Sequence, residues 1–139
     1  MSGPDKIQLM RYKWQDLCIL VVEDNYINSI LIEAFLSPTG IKIIHAGNGI
    51  KSIDAVKVYP GINLVLMDIQ LPFLNGYDAL HEIKKMRPEL PVIAQTAYAM
   101  DDSRFLYLSA GFSDYISKPI NRETLLDLIN TYIWETTGQ

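Results

Sequence analysis

Residues 64–72 read LVLMDIQLP, an apolar run that passes through an aspartate into a loop. Its four apolar residues lead directly into Asp68, and a loop punctuated by proline and glycine follows. A short apolar run with such a boundary is typical of a buried strand, so the pattern places a carboxylate at a strand end. A second apolar run, residues 17–22, ends in the acidic pair Glu23 and Asp24. Two strand ends that carry carboxylates can share one pocket at the edge of a parallel sheet.

Outward from these two runs, apolar stretches and helical segments alternate along the chain. The pattern predicts strands at residues 17–22, 41–45, 63–67, 91–95 and 113–117. It predicts helices at about residues 25–36, 48–58, 77–86, 100–110 and 121–134. Such alternation is typical of βαβ units, in which helices cover both faces of a parallel sheet. The predicted fold is therefore α/β, a doubly wound (βα)5 three-layer sandwich with ligands at the carboxyl ends of its strands.

Composition describes one folded domain and argues against several functions. The 139 residues are 49% hydrophobic and 20% charged, which suits one domain with a real core. The net charge of −4 and the lack of a basic stripe disfavour direct binding to nucleic acid. A single cysteine excludes an intrachain disulfide and fits a reducing compartment. Because no apolar stretch reaches the ~20 residues of a membrane span, we expect a cytoplasmic domain without direct membrane contact.

The two ends of the chain lack the alternating pattern. We expect a leader or linker over residues 1–16, one domain over residues 17–135 and a tail over residues 136–139. Tyr12 and Trp14 could fold back onto the domain or belong to a mobile tail, and the sequence leaves both open. From these features we expect a domain taken from a longer protein, and we expect no transcriptional output from this part of it.

Four predicted strand ends supply a set of polar groups. Glu23, Asp24 and Asp68 stand at the first and third of these ends. Thr96 ends the fourth strand run, and Lys118 follows the fifth. Like charges this close repel strongly unless a cation or a proton intervenes. Mg²⁺ prefers oxygen ligands and fits this set, while Lys118 adds a charge suited to a phosphoryl oxygen.

These groups form a minimal site for phosphoryl transfer. Asp68 would attack phosphorus, the metal would neutralise charge, and Lys118 and Thr96 would hold the product. A single Asp after a strand is more often a turn or cap residue, but five groups on one edge of the sheet favour the site. Nothing in the sequence resembles a general base, so the chemistry should end at an aspartyl phosphate that hydrolyses slowly.

Four motifs together resemble the response-regulator receiver domain. They are VVEDN at residues 21–25, LMDIQLP at 66–72 with NGY at 75–77, QTA at 95–97 and DYISKP at 114–119. The resemblance covers residues 17 to about 135 and implies the flavodoxin-like strand order 2-1-3-4-5. It implies Asp68 as phosphoacceptor and Mg²⁺ on Asp24, Asp68 and the backbone carbonyl of Gln70, with Glu23 acting through water.

The resemblance also implies a conformational switch. Thr96 and Tyr115 would be the switch pair, Lys118 would bind the phosphoryl group, and the peptide bond between Lys118 and Pro119 would be cis. The new dianion would draw the Thr96 hydroxyl inward, and Tyr115 would rotate into the vacated space. The face of the fourth helix, fifth strand and fifth helix would then repack.

The chain departs from the family pattern at a few positions. Asn75 stands where the family more often has Asp, and it can still support the turn before Gly76. Glu23 replaces a frequent Asp, which leaves open whether it touches the metal directly. Gln70 and Tyr98 occupy positions that tune phosphoryl lifetime in the family, so the sequence does not fix that lifetime.

The first predicted helix carries two apolar stripes side by side. The resemblance puts one stripe on the sheet: Leu31, Ile32, Phe35 and Leu36. The other stripe is a candidate docking face for a partner helix, with Pro119 beside the site: Ile27, Ile30 and Ala34. Burial of this second stripe against the last helix is an equal alternative.

The motifs look most like receivers at the C-terminus of hybrid sensor histidine kinases. We therefore expect a phosphorelay domain that exchanges phosphate with a histidine kinase or a histidine phosphotransfer protein, in the cytoplasm or tethered to the inner membrane through a parent kinase. The alternatives are a stand-alone response regulator, a pseudo-receiver that only docks, and a Mg²⁺-dependent phosphohydrolase with an aspartyl nucleophile. Such hydrolases usually carry a second carboxylate two residues after the nucleophile, where this chain has Gln70.

Overall fold

Five parallel strands form one sheet in the order β2-β1-β3-β4-β5. The strands are β1 Cys18–Val22, β2 Lys42–Ala46, β3 Leu64–Asp68, β4 Val92–Thr96 and β5 Asp114–Ser117. This order confirms the predicted doubly wound, flavodoxin-like sheet, whose winding reverses between β1 and β3. The structure, a computed structural model, describes residues 12–137, so most of the predicted leader and the last two residues of the predicted tail lie outside the described residues.

Five α-helices connect the strands and follow the last one. They are α1 Tyr26–Leu36, α2 Gly49–Val58, α3 Gly76–Met86, α4 Ser103–Ala110 and α5 Arg122–Tyr132, with short 3₁₀ turns at Ser37–Thr39 and Glu135–Thr137. Four of the helices begin after an asparagine whose side chain accepts a backbone N–H of the first turn: Asn25, Asn48, Asn75 and Asn121. Within residues 12–137, no helix has the length and hydrophobicity needed to cross a bilayer.

Two helix boundaries differ from the sequence prediction. α4 begins at Ser103 and not at Met100, because the Ser103 hydroxyl accepts the Met100 N–H and closes a turn before the helix. α5 ends at Tyr132, and Trp134 lies in the turn that follows, where its indole N–H donates to Asn130. Apolar periodicity continues through both turns, so it could not locate these ends.

Alternate strand residues point to opposite faces of the sheet and build two cores. One face packs against α1 and α5, and its core includes Ile19, Val21, Leu64, Leu66, Ile93 and Ile116. The other packs against α2, α3 and α4, and its core includes Leu20, Val22, Val65, Met67, Val92 and Ala94. We call these the α1/α5 face and the α2/α3/α4 face. The three central strands are buried on both faces, which explains their continuous apolar runs.

Trp14 packs into the core of the α1/α5 face although it precedes β1. Its backbone N–H donates to the Thr39 carbonyl at 2.7 Å, and the Tyr12 ring stacks on its indole with the centroids 5.0 Å apart. The Tyr12 hydroxyl donates to the carboxylate of Asp127 on α5. Of the two alternatives that the sequence left open, the structure shows the aromatic pair folded back onto the domain. The domain boundary at residue 17 stays a prediction.

Candidate functional site

Three carboxylates meet where β1 and β3 end side by side. Asp68 is the last residue of β3 and is 3% exposed. Glu23 follows β1 and is also buried, whereas Asp24 beside it is exposed to solvent. Ligand oxygens of the three side chains all lie within 4.8 Å of one another. The topology therefore brings together the three acids that the sequence singled out, with one of them open to solvent.

Lys118 follows the edge strand β5 and reaches this acidic cluster past the end of β4. Its Nζ donates to Asp68 Oδ2 at 2.8 Å and lies 3.5 Å from Glu23 Oε1. Burial alone would lower the pKa of Lys118, but its hydrogen bonds and charge interactions with Asp68 and Glu23 outweigh burial and raise that pKa. The peptide bond to Pro119 is cis, as the resemblance implied. Lys118 is thus a permanent cation that offsets part of the acidic charge.

Glu23 is held more firmly than the sequence suggested. Asn28 Nδ2 donates to Glu23 Oε1 at 2.7 Å, and the Asn25 N–H donates to Oε2 at 3.2 Å. Burial, then the hydrogen bond and charge of Asp68, raise the pKa of Glu23 to about 6, although both asparagines act to lower it. The role of Asn28 was not predicted from the sequence. Its place in the first turn of α1, five residues after Glu23, could have indicated it.

Hydrogen bonds hold the loop after Asp68 close to the end of β3. The Gln70 N–H donates to Asp68 Oδ1 at 3.0 Å, and the Gly76 N–H donates to the Ile69 carbonyl at 3.0 Å. A Cβ atom at Gly76 would lie 2.5 Å from the Asp68 carbonyl oxygen, so only glycine allows this approach of α3. Asn75 caps α3 and so supports the turn before this glycine. Metal ligation by the Gln70 carbonyl stays a prediction.

Thr96 and Tyr115, the predicted switch pair, lie on the same face of the sheet. Thr96 ends β4, and its hydroxyl oxygen accepts the Tyr98 N–H at 3.0 Å. Ala94, which points to the α2/α3/α4 face, pairs in register with Tyr115. The half-buried Tyr115 ring lies 5.5 Å from the Tyr107 ring, within an aromatic cluster that also includes Tyr77 and Phe112. The sequence pattern did not reveal this cluster, because Tyr77 is distant in the chain and Tyr107, Phe112 and Tyr115 lie on a helix, a loop and a strand whose packing the pattern does not show.

The match to a known family agrees with this geometry. Residues 19–130 match the family model of the response regulator receiver domain. The chain belongs to the response regulator receiver family. It is 36% identical over 123 residues to Hybrid signal transduction histidine kinase I of Dictyostelium discoideum, a match covering 83% of this chain and 7% of the relative. Three histidine kinases among the curated relatives are matched over only 7% to 13% of their own length.

Solved receiver domains share the fold and part of the sequence. The receiver domain of sensor histidine kinase PA1611 from Pseudomonas aeruginosa PAO1 is 35% identical with a TM-score of 0.76, and the match covers 84% of this chain and 97% of that one. That crystal structure has a magnesium ion coordinated in its active-site cleft. The Ssk1 receiver domain of Saccharomyces cerevisiae, solved with the histidine phosphotransfer protein Ypd1, gives 29% identity and a TM-score of 0.75, with coverage of 84% and 88%.

The acidic cluster of this receiver domain is suited to a divalent metal ion. Its donors are hard carboxylate oxygens from three residues, two of them buried, and burial followed by the hydrogen bond and charge of Asp68 raises the pKa of Glu23. Lys118 supplies only one positive charge against three acids. A divalent cation would complete the neutralisation. This arrangement is consistent with a metal site.

The outer face of α1 presents an exposed apolar surface next to the cluster. Ile27 is 72% exposed and Ile30 is 44% exposed, and Ala34 is exposed as well. The prediction for Leu31 was wrong: it is 38% exposed and does not lie on the sheet. The helix turns Ile32 inward, and Leu31 then faces outward beside Ile30. Pro119 is also exposed at the same edge of the sheet.

Replacing Glu23 with glutamine should flatten the pH dependence of stability in the metal-free receiver. Because the folded pKa of about 6 exceeds the ordinary value of 4.5, Glu23 favours the folded state at low pH, and this contribution is lost as pH rises through about 6. The Glu23→Gln variant should therefore gain on the order of 1 to 2 kcal/mol over wild type at about pH 7.5 and little at about pH 4. Urea unfolding with a chelator present measures both values. An equal difference at the two pH values would contradict the assignment.

Proposed function

We propose that this receiver domain accepts a phosphoryl group on Asp68 from a phosphohistidine, with Mg²⁺, as one step of a two-component phosphorelay. The observation that carries the proposal is the buried Asp68 carboxylate, which lies within 4.8 Å of two other acids and 2.8 Å from the Lys118 ammonium. Family membership and the metal-bound PA1611 receiver support it. The domain itself would be a phosphoacceptor with at most slow hydrolysis of its own aspartyl phosphate.

In this mechanism Asp68 is the nucleophile. One of its oxygens forms a bond to phosphorus while the N–P bond of phosphohistidine breaks and its electron pair returns to the imidazole. Asp24 and Asp68, the Gln70 carbonyl and Glu23 through water would hold Mg²⁺, which when bound neutralises charge on the equatorial phosphoryl oxygens. Lys118 needs only a small movement from Asp68 Oδ2 to bind a phosphoryl oxygen.

The response to phosphorylation would begin at Thr96. Its hydroxyl now accepts the Tyr98 N–H, and a phosphoryl oxygen on Asp68 offers the hydroxyl hydrogen an anionic acceptor. A shift of Thr96 toward that oxygen would open space on the α2/α3/α4 face, where Tyr115 packs on Tyr107. Rotation of Tyr115 would then change the surface formed by α4, β5 and α5.

The partner surface would be the exposed apolar stripe of α1. Ile27, Ile30 and Ala34 form it, and Pro119 would extend it across the site. An exposed apolar patch beside the phosphoacceptor suits a helix that presents a histidine. The solved complex of Ypd1 with the Ssk1 receiver supports a histidine phosphotransfer protein or the equivalent helices of a histidine kinase as the partner class.

The parent protein would be a hybrid sensor histidine kinase. Similarity to histidine kinases, each matched over a small part of its length, supports this context. The domain would then act in the cytoplasm or at the inner membrane through its parent. A stand-alone response regulator is the alternative, and the reading frame on either side of residues 1 and 139 distinguishes the two.

Incubation with Mg²⁺ and acetyl phosphate should add one phosphoryl group to the wild-type domain and none to Asp68→Asn. Asp68 is the nucleophile, whereas the exposed Asp54 on α2 is not, so Asp54→Asn is the matched control and should be modified normally. Lys118→Ala should bind Mg²⁺ but accept the phosphoryl group more slowly. Intact mass spectrometry and acid-labile phosphate measure the yield.

Three outcomes would contradict the proposal. Full modification of Asp68→Asn would place the phosphoryl group elsewhere. Multiple turnover on phosphate esters would favour the phosphohydrolase. Such an enzyme would then have Gln70 at the position where a second carboxylate is usual. A domain that is never modified and binds Mg²⁺ weakly would be the pseudo-receiver.

Truncation of the α1 patch should slow transfer from a protein donor without affecting a small donor. The double variant Ile27→Ala and Ile30→Ala should lose about tenfold in the rate of transfer from phosphorylated Ypd1, since truncating anchor residues of an interface typically loses this much. The rate with acetyl phosphate should stay unchanged. Val58→Ala, an exposed apolar residue on α2, is the control. Equal loss with both donors, or with neither, would contradict docking on α1.

A further inference from the structure

Gln95 is a buried polar residue without a partner in a strand that is otherwise apolar up to Thr96. Its side chain is 0% exposed, and neither its amide oxygen nor its amide nitrogen has a hydrogen-bond partner among the residues that the structure describes. A buried amide without partners destabilises a folded protein, and an apolar residue of the same shape would avoid that penalty. The presence of glutamine here therefore points to a partner in another state of the protein.

The register of the sheet places Gln95 beside the phosphoacceptor. Its Cα pairs with Asp68 on β3 and with Ile116 on β5. Ile93, two residues earlier on β4, belongs to the core of the α1/α5 face together with Ile116. Because strand side chains alternate, Gln95 points to the same face as Ile93. By the same alternation from Leu66, Asp68 also belongs to this face.

The Lys118 side chain must pass over the end of β4 to reach Asp68. Lys118 follows β5, Asp68 ends β3, and β4 lies between these two strands. Neighbouring strands are about 4.8 Å apart, so the hydrogen bond from Lys118 Nζ to Asp68 requires the side chain to span two such spacings. Gln95 is the β4 residue on this face level with Asp68. The Lys118 side chain therefore passes over the end of the strand that carries Gln95, toward the residue with which Gln95 is in register.

We propose that Gln95 is a positioning residue for Lys118. When the carboxylates bind a divalent cation, the amide oxygen of Gln95 accepts a hydrogen bond from the Lys118 ammonium. An ammonium has three N–H donors, and Lys118 now directs them toward Asp68 and Glu23. Carboxylates that bind a cation have fewer lone pairs left for Lys118, and the cation repels the ammonium. An amide oxygen suits this role because it accepts a hydrogen bond without adding a fourth negative charge. The inference rests on the proposed function, in which Mg²⁺ and Lys118 act together.

The test replaces Gln95 with methionine, which has a similar shape and no amide. The metal-free Gln95→Met domain should unfold at a higher temperature than wild type, because the unpaired amide is gone. Its affinity for Mg²⁺ should be about tenfold lower, since the displaced ammonium has lost its acceptor. Thermal unfolding in a chelator and Mg²⁺ titration calorimetry measure the two effects. Ile93→Met, on the same strand and face, is the control and should leave Mg²⁺ affinity unchanged.

A double-mutant cycle with Lys118→Ala shows whether Gln95 acts through Lys118. In the Lys118→Ala background, Gln95→Met should leave Mg²⁺ affinity unchanged, because no ammonium remains to be held. The same loss of affinity in both backgrounds would overturn the inference, as would a Gln95→Met domain that binds Mg²⁺ as tightly as wild type.

The proposed function and this inference fail in different ways. A wild-type domain that binds Mg²⁺ but is never phosphorylated on Asp68 would overturn the proposed function alone. A phosphorylated wild type with no effect of Gln95→Met on Mg²⁺ affinity would overturn the inference alone. A wild-type domain that binds no Mg²⁺ would overturn both.

Discussion

Three carboxylates converge at the edge of the sheet where β1 and β3 end, and their mutual repulsion is the constraint to which the neighbouring residues respond. The chain relieves the repulsion in three ways. Lys118 places an ammonium between Asp68 and Glu23, the side-chain amide of Asn28 donates to Glu23, and burial together with Asp68 raises the pKa of Glu23 to about 6, so that Glu23 takes up a proton more readily than an ordinary glutamate. Each is a partial substitute for a divalent cation.

The acidic site and the proposed switch pair lie on opposite faces of the sheet. Strand alternation assigns Glu23, Asp68 and Gln95 to the α1/α5 face, close to the exposed apolar stripe of α1. Thr96 and Tyr115 belong to the opposite face, where Tyr115 packs against the Tyr107 ring of α4. A phosphoryl group on Asp68 would therefore be delivered near one face and detected on the other. The single residue step from Gln95 to Thr96 along β4 connects the two.

Most of the fold and the acidic site could be predicted from the sequence, because buried central strands leave continuous apolar runs and each run ends in a polar residue of the site. Periodicity could not place the start of α4, where the Ser103 hydroxyl and Met100 close a turn. The family resemblance assigned Leu31 to the sheet, and periodicity could not correct this, because two adjacent apolar stripes on α1 have the same period and only packing selects between them. The unpartnered state of Gln95 depends on its three-dimensional neighbours, so a strand of apolar composition gave no sign of it.

The proposed phosphoacceptor function depends most directly on one cation site shared by residues distant in sequence. Crystals of the domain soaked in Mn²⁺, which takes the same oxygen ligands as Mg²⁺, allow the ion to be located by its anomalous scattering. We expect one strong peak in contact with the carboxylates of Asp24 and Asp68. In the same crystals the Lys118 ammonium should no longer bridge Asp68 and Glu23. No peak at this edge of the sheet, with Lys118 still bound to both acids, would contradict the proposed function.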